Sequence, residues 1–236
     1  YAQLAVEVTR LCAVLERLGA VSGDRIVMQV TNSRKAVVTI WAVLRLGAVL
    51  VPLHAVSRAE GLLPAVRDSD PRWAIIGSEQ YGGLDALAEA AGSLERAMVW
   101  SSGKAGLWDT DVRCVACSLE GDVRPVAESP HGSRSVDQAL AMILYTSGST
   151  GAPKGVMLTH GNMAAAVGAV NAYLKIDERD VLYSALPLSS SYGIYQPILG
   201  LAIGSTVVLD RSFAFPAKSL EMMAVERATV FAGVPT

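Results

Sequence analysis

Residues 145–156 read Tyr-Thr-Ser-Gly-Ser-Thr-Gly-Ala-Pro-Lys-Gly-Val. The segment follows an apolar run at 141–145 and leads into another at 155–158. Its three glycines allow backbone N–H groups to approach an anion closely, and its four Ser and Thr side chains donate further hydrogen bonds. Lys154 adds a positive charge. These residue types predict a phosphate-binding loop between two strands.

Two better-known phosphate-binding patterns do not match this loop. A Walker-type P-loop needs Gly-Lys followed by Ser or Thr, but here Pro153 precedes Lys154 and Gly155 follows it. A dinucleotide fingerprint carries neither the lysine nor the cluster of hydroxyls. The remaining alternative is a flexible Ser/Gly linker. Position argues against a linker, because linkers rarely lie between two apolar strands.

Outward from the loop, helical and strand-like patterns alternate along the chain. Helices are predicted at 1–18, from Asn32 or Ser33 as cap to 46, and at 58–68, 81–91 and 161–174. Strands are predicted at 25–30, 48–53, 73–77, 97–100, 141–145, 155–158, 181–186, 206–209 and 229–231. Residues 101–135 show no regular pattern. The alternation predicts an α/β fold with mostly parallel strand pairing.

Composition excludes several classes of protein. With 51% apolar and 18% charged residues, the chain is able to bury a core, which argues against disorder. A net charge of −2 gives no reason to expect a nucleic-acid partner. The sparse, odd set of three cysteines suits a reducing compartment, so we expect a cytoplasmic protein. Residues 181–209 carry no charge, but two prolines and the triplet at 189–191 argue against a transmembrane segment.

The loop at 145–156 resembles the signature loop of the adenylate-forming superfamily. That superfamily includes acyl-CoA synthetases, fatty acyl-AMP ligases, luciferases and peptide-synthetase adenylation domains. The resemblance extends upstream to 46–53 and downstream to 157–162, 186–193 and 233–236. The branch of acyl-CoA synthetases and acyl-AMP ligases is the most similar, partly because of Ser-Phe-Ala-Phe-Pro at 212–216.

The resemblance implies which fold the chain adopts and how much of the domain it contains. It implies the large N-terminal domain of an adenylate-forming enzyme, truncated, with two α/β subdomains of mostly parallel sheets flanked by helices. One subdomain spans about 23–174, and the other, incomplete, combines about 1–20 with 180–236. Full-length relatives continue with an acidic residue for Mg²⁺, a ribose-binding aspartate and a small domain with a catalytic lysine. No catalytic residue is therefore located within 1–236, and we expect this chain to be inactive alone.

The resemblance also assigns candidate site residues. ATP, with Mg²⁺, is expected to place its β- and γ-phosphates on Thr146, Ser147, Gly148, Ser149, Thr150, Gly151 and Lys154. The segment 187–193 matches the lining of the acyl pocket, which makes Ser190, Tyr192 and Gly193 candidates for substrate binding. Many relatives have histidine at the position of Ser190. The alternative for Ser190 is a buried hydroxyl bonded to backbone.

The implied function is ATP-dependent activation of a carboxylic acid to acyl-AMP, followed by transfer to CoA or to the thiol of an acyl or peptidyl carrier protein. A fatty acid is favoured, because 181–209 contains no Asp or Glu to hold an α-ammonium group. Two alternatives remain open: a non-catalytic nucleotide-binding homologue and an amino-acid adenylation domain.

Other chemistry-bearing residues give weaker signals. Cys114 and Cys117 have C-x-x-C spacing, but no second pair or clustered histidine completes a zinc site, so no metal site is predicted. His54 and His131 are interpreted as surface or loop residues. His160 follows the loop directly and either contacts nucleotide or begins a helix.

Overall fold

The computed structural model describes residues 1–100, 113–117, 137–146 and 153–234. Its helices are α1 (Ala2–Arg17), α2 (Arg34–Leu46), α3 (Ala59–Ser69), α4 (Leu84–Ala90), α5 (His160–Leu174), α6 (Ser191–Ile203) and α7 (Pro216–Val225). Its strands are β1 (Arg25–Gln29), β2 (Val49–Pro52), β3 (Trp73–Gly77), β4 (Arg96–Trp100), β5 (Arg113–Cys117), β6 (Leu140–Thr146), β7 (Lys154–Thr159), β8 (Val181–Ser184), β9 (Thr206–Leu209) and β10 (Val230–Phe231). A 3₁₀ segment, Ser78–Gly83, precedes α4.

The larger sheet has seven strands in the order β5-β4-β3-β1-β2-β6-β7. Strands β1 to β6 pair in parallel, with Ile26 of β1 opposite Leu50 on one side and Trp73 on the other. Among the described strands of this sheet, β7 alone is antiparallel, and it pairs with β6. The smaller sheet has three parallel strands in the order β10-β8-β9. The predicted α/β class with mostly parallel pairing is confirmed.

Burial on both faces explains the apolar runs of the central strands. Alternate residues of β1, such as Ile26 and Met28, pack in a cluster that also contains Leu15 of α1 and Ile198 of α6. The intervening Val27 packs on the opposite face in a cluster with residues of α3 and α4. The period of two along each strand thus supplies two cores, one on each side of the larger sheet.

Helix ends follow local chemistry that the sequence carries. Ser33, not Asn32, caps α2, because its hydroxyl accepts a hydrogen bond from the Ala36 amide. Gly47 ends this helix with φ of 75°, a left-handed conformation that glycine adopts without a Cβ penalty. Thr159 caps α5 in a reciprocal capping box with Asn162.

Two predicted elements differ from the structure by two or more residues at one end, and one observed strand was not predicted. The helix predicted at 81–91 becomes α-helical only at Leu84, because Gly82 and Gly83 disfavour a regular helix before it. The strand predicted at 181–186 ends at Ser184, ahead of the turn that contains Pro187. A strand that the sequence did not predict, β5, lies within the irregular stretch 101–135 and pairs with β4.

Helix α1 contacts α2 and shares a core cluster with it, and α6 residues belong to the same cluster. The division into subdomains at about 23–174, and 1–20 with 180–236, stays a prediction. Within the part of the chain that the structure describes, no helix combines the length and apolar character needed to span a bilayer.

Candidate active site

The hairpin of β6 and β7 presents the ends of the predicted phosphate loop. Antiparallel pairing places Thr146 directly opposite Lys154, and both side chains are exposed. The loop residues Ser147, Gly148, Ser149, Thr150 and Gly151 lie outside the described residues. A hydroxyl and an ammonium group therefore face each other across the open end of the hairpin, where the loop begins and ends.

Tyr145 fixes the base of this hairpin to helix α3. Its hydroxyl donates a 2.5 Å hydrogen bond to Oδ2 of Asp68. Its ring lies across Gly155, where a Cβ would come within 3.2 Å of the Tyr145 Cζ. Burial, followed by the bond to Asp68, raises the pKa of Tyr145 above its usual range, so the hydroxyl stays a donor. Gly155 is thus needed for space rather than for a special backbone conformation.

The carboxyl ends of the two sheets meet. Asn32, which follows β1, donates from Nδ2 to the carbonyl oxygens of Leu186 and Asp210, at 2.8 and 3.1 Å. Leu186 follows β8 and Asp210 follows β9, so one side chain joins the ends of three strands. Parallel α/β sheets bind ligands outside the carboxyl ends of their strands. The hairpin loop follows β6 at this same edge of the larger sheet.

The segment after β8 forms a tight turn into α6. Ser190 is the N-cap of α6: its hydroxyl accepts from the Gly193 amide at 3.0 Å and donates to the Pro187 carbonyl at 2.8 Å. Gly193 is buried, and a Cβ at this position would overlap the same Pro187 oxygen. Ser190 is bonded to backbone, as the alternative reading expected, but it is exposed rather than buried.

Tyr192, half exposed, lines an apolar cavity of about 100 Å³ between α5, α6 and the smaller sheet. None of the twelve described residues lining it is Asp, Glu, Lys or Arg. They are Val167, Val170, Leu174, Ile176, Leu182, Tyr183, Tyr192, Tyr195, Gln196, Leu199, Val230 and Ala232. The cavity is therefore suited to an apolar group. Of the three predicted substrate residues, Tyr192 reaches this cavity, whereas Ser190 and Gly193 shape the turn leading to it.

A second, polar cavity of about 370 Å³ lies at the carboxyl ends of β1, β2 and β3. Gln29 donates to the Ser57 carbonyl, and Gln80 donates to the Ala55 carbonyl. Oε1 of Gln80 is buried and has no hydrogen-bond partner among the described residues. This cavity could not be predicted from the sequence, because glutamines near strand ends form no recognisable motif. Only the strand order, which puts β3 beside β1, brings them together.

The histidines and cysteines form no second site among the described residues. His54 lies in the loop after β2, with Nδ1 3.3 Å from the Ser57 hydroxyl. His160 begins α5 and lines a cavity of about 720 Å³ beside α1 and α2. Burial lowers the pKa of His160, although the negative charge of Asp137 acts to raise it. His131 and the side chains of Cys114 and Cys117 lie outside the described residues. Within the described ranges, no group of three or more His, Cys, Asp or Glu side chains could hold a metal ion.

Comparison with known proteins identifies the family. The profile of the family described as AMP-binding enzyme matches residues 1–236. The chain belongs to that family. The sequence-based resemblance to adenylate-forming enzymes is therefore confirmed, and the candidate site can be compared with those of other AMP-binding enzymes.

Individual known proteins resemble the chain over nearly its whole length. A feruloyl-CoA synthase from Amycolatopsis is 33% identical and covers 100% of the chain, which spans 43% of that protein. The PKS-NRPS hybrid synthetase psoA of Aspergillus fumigatus is 29% identical over 97% of the chain, which spans 5% of the synthetase. The structure of ATP-bound MatB from Rhodopseudomonas palustris superposes with a TM-score of 0.79 at 28% identity. It covers 100% of the chain, which spans 44% of it. The chain thus spans less than half the length of each.

Of the two expected cofactors, ATP and Mg²⁺, the described residues fit ATP better. The hairpin with Thr146 opposite Lys154 fits the phosphates of ATP, because it offers a hydroxyl donor and a cation side by side. Mg²⁺ is usually held by one or two carboxylates together with substrate phosphates. The strands of the hairpin, β6 and β7, contain no Asp or Glu. Among the described residues, no group of three or more His, Cys, Asp or Glu side chains could hold a metal ion.

Proposed function

We propose that the protein activates a carboxylic acid with ATP, forming an acyl-AMP and releasing pyrophosphate. One observation carries the proposal: the β6–β7 hairpin of an AMP-binding enzyme sets Thr146 opposite Lys154 at the two ends of a loop rich in hydroxyls and glycines. Because the chain spans only part of its relatives, this activity belongs to the intact protein.

The chemistry is an in-line displacement. A carboxylate oxygen of the acid attacks the α-phosphorus of ATP, a new P–O bond forms, and the bond to the β-phosphate oxygen breaks. Pyrophosphate leaves with the electron pair. Thr146, Ser147, Gly148, Ser149, Thr150 and Gly151 bind the β- and γ-phosphates through hydroxyls and backbone amides. Lys154 neutralises charge on the leaving pyrophosphate. ATP brings Mg²⁺, which neutralises further phosphate charge when bound.

The acid carries an apolar body. The cavity lined by Tyr192 contains no described carboxylate that could pair with an α-ammonium group, and burying that group unpaired is costly. This supports an aliphatic or aromatic acid over an amino acid, and a fatty acid is the first candidate. Ser190 and Gly193 hold the turn from which Tyr192 enters the cavity.

The acyl group is then passed to a thiol. The relative named feruloyl-CoA synthase favours CoA as the acceptor, and the relative named as a PKS-NRPS hybrid synthetase favours a carrier protein. The higher identity of the first supports CoA. A cytoplasmic location is part of the proposal, supported by the sparse cysteines.

The test is acid-dependent exchange of labelled pyrophosphate into ATP, measured on the intact protein with fatty, aromatic, dicarboxylic and amino acids. We expect exchange with fatty or aromatic acids. Exchange only with amino acids would show an amino-acid adenylation domain. No exchange with any acid, in a protein that binds ATP, would instead show a non-catalytic homologue.

A further inference from the structure

Asn32 is a buried polar side chain whose hydrogen-bonding capacity is directed at distant backbone. It is 7% exposed and lies after β1 in the larger sheet. Its Nδ2 donates to the carbonyls of Leu186 and Asp210, and its Oδ1 accepts from the Leu188 amide at 3.1 Å. These three bonds cross 154, 178 and 156 residues of sequence. A carboxamide can donate two hydrogen bonds through its NH₂ group and accept one through its oxygen, which few side chains of this size can do.

The segment held by Asn32 leads directly to the cavity for the acid. Leu186 and Leu188 flank Pro187, whose carbonyl accepts from the Ser190 hydroxyl and amide. Ser190 in turn caps α6, whose first turn carries Tyr192 into the apolar cavity. The contacts thus form one chain: Asn32, the 186–188 backbone, the Ser190 cap and the cavity.

Asn32 follows β1, and β1 belongs to the larger sheet from which the phosphate loop extends. β1 pairs with β2, β2 pairs with β6, and β6 leads into the loop. An in-line attack requires the carboxylate and the α-phosphorus to be held in a fixed relative position, and an error of about 1 Å can cost about 100-fold in rate. The two binding sites lie on different sheets, so that position depends on what joins the sheets.

We propose that Asn32 is a positioning residue that fixes the acid-binding segment relative to the phosphate loop. The inference rests on the proposed function. The inference goes beyond that function because it assigns the acid-binding geometry to Asn32. In the described structure this side chain does not line the apolar cavity and makes no hydrogen bond to the loop hairpin. Loss of Asn32 removes the hydrogen bonds to the Leu186 and Asp210 carbonyls and leaves the amide of the buried Leu188 without its Asn32 acceptor, which loosens the 186–188 segment.

Two variants and a matched control test this in the intact protein. Asn32→Leu removes all three bonds at similar volume, and Asn32→Asp keeps the acceptor for Leu188 but loses both donors. Ser33→Ala removes the neighbouring helix cap, whose hydroxyl accepts from the Ala36 amide and donates to the Thr31 carbonyl; the described hydrogen bonds of this hydroxyl do not involve 186–188. It therefore lowers stability without disturbing the acid-binding segment.

We expect Asn32→Leu to lower kcat/KM for the acid by about 100-fold while the KM for ATP changes little. Hydrogen–deuterium exchange at the Leu188 amide should become about tenfold faster. Asn32→Asp should leave Leu188 protected yet still lower kcat/KM for the acid. Ser33→Ala should match wild type in both readouts.

Several results would overturn the proposal. Rapid exchange at Leu188 in the wild-type protein would remove its basis, whether or not any variant folds. Wild-type kinetics in Asn32→Leu, or in Asn32→Asp if the leucine variant does not fold, would remove the positioning role. An equal loss in Ser33→Ala would reduce Asn32 to a stabilising residue. Absence of adenylation in the wild type would refute the proposed function, whereas the Leu188 exchange data would still test the Asn32 bonds.

Discussion

Lys154 carries the positive charge at the open end of the hairpin. Its side chain is exposed and faces Thr146 across the β6–β7 ladder, so it can reach a phosphate without leaving the strand. A cation near the leaving pyrophosphate stabilises charge that grows in the transition state. We expect it to act on the rate more than on the binding of the acid.

Replacing Lys154 with alanine should slow adenylation in the intact protein by about 2–4 kcal/mol of activation free energy, the usual cost of losing one such donor. The measurement is the kcat of acid-dependent pyrophosphate exchange. Lys218→Ala on the exposed face of α7 is the matched control and should leave kcat unchanged. An unchanged rate in Lys154→Ala would exclude this lysine from the mechanism.

Asp210 should make stability depend on pH. Burial raises its pKa, but hydrogen bonds from Tyr183 and Ser219 and from the Arg211 and Ser212 amides outweigh this and hold the pKa below its usual value. A carboxyl whose folded pKa is depressed contributes stability that is complete above the unfolded pKa, about 3.9, and lost as pH falls through the folded pKa. The wild-type protein should therefore have a higher free energy of unfolding than Asp210→Asn at neutral pH. This difference in unfolding free energy should shrink as the pH falls into the acidic range.

Urea unfolding of both proteins from neutral to acidic pH measures this gap. If the difference in unfolding free energy stays constant across the acidic range, Asp210 contributes through packing rather than through the charge of its carboxylate.

Residue types allowed part of the site to be predicted. Thr146 and Lys154 could be assigned because hydroxyls, glycines and a lysine are close in sequence. The role of Asn32 could not, because its partners lie 154 to 178 residues away and only the fold brings them together. The same holds for Asp68 beneath Tyr145, which is 77 residues distant.

At the scale of elements, the start of α6 is the most constrained point of the candidate site. The Ser190 cap and Gly193 both converge on the Pro187 carbonyl, so the turn has space for a glycine and no larger residue. This constraint orients the first turn of α6 and, with it, Tyr192.

Gly193→Ala should destabilise the protein by about 1–3 kcal/mol, because the new Cβ overlaps the Pro187 oxygen. Gly168→Ala is the matched control within α5, where an added Cβ meets nothing within 4 Å. It should stabilise the protein by about 0.5–1 kcal/mol, since alanine favours helix. Unfolding free energies from denaturant titration decide the signs, and a stabilised Gly193→Ala would contradict the described turn.

The sequence predicted most elements, since apolar periodicity marks buried strands and amphipathic helices. The strands at 73–77 and 206–209 match the observed bounds. Periodicity carries no information on pairing, so the antiparallel direction of β7 and the order of seven strands could not be predicted. β5 was missed because it lies among Gly, Ser and Pro residues that are typical of loops.

The described part of the chain leaves several large apolar side chains exposed. Tyr173 of α5, Val225 of α7 and Phe215 before α7 are 85%, 69% and 76% exposed. Helices and sheets normally bury such side chains against another layer. The chain spans 43% of the feruloyl-CoA synthase and 44% of the MatB structure that resemble it.

We therefore expect the 236-residue chain by itself to catalyse no acid-dependent formation of AMP and to aggregate more readily than the intact protein. From the resemblance we expect the ribose-binding aspartate and the catalytic lysine in the part of the relatives that this chain does not span, and phosphate contacts alone do not fix in-line geometry. The comparison is AMP production by both proteins at equal concentration, with light scattering alongside. Turnover by the chain approaching that of the intact protein would contradict this.

Acid adenylation breaks ATP between its α- and β-phosphates, so the nucleotide products reveal directly whether the protein catalyses it. The intact protein is incubated with ATP and the best acid from the exchange panel, and the nucleotide products are separated and quantified. We predict AMP and pyrophosphate in equal amounts, with no consumption of ATP when the acid is omitted. Production of ADP and phosphate, or ATP consumption that does not depend on the acid, would contradict the assignment of the β6–β7 loop to acid adenylation.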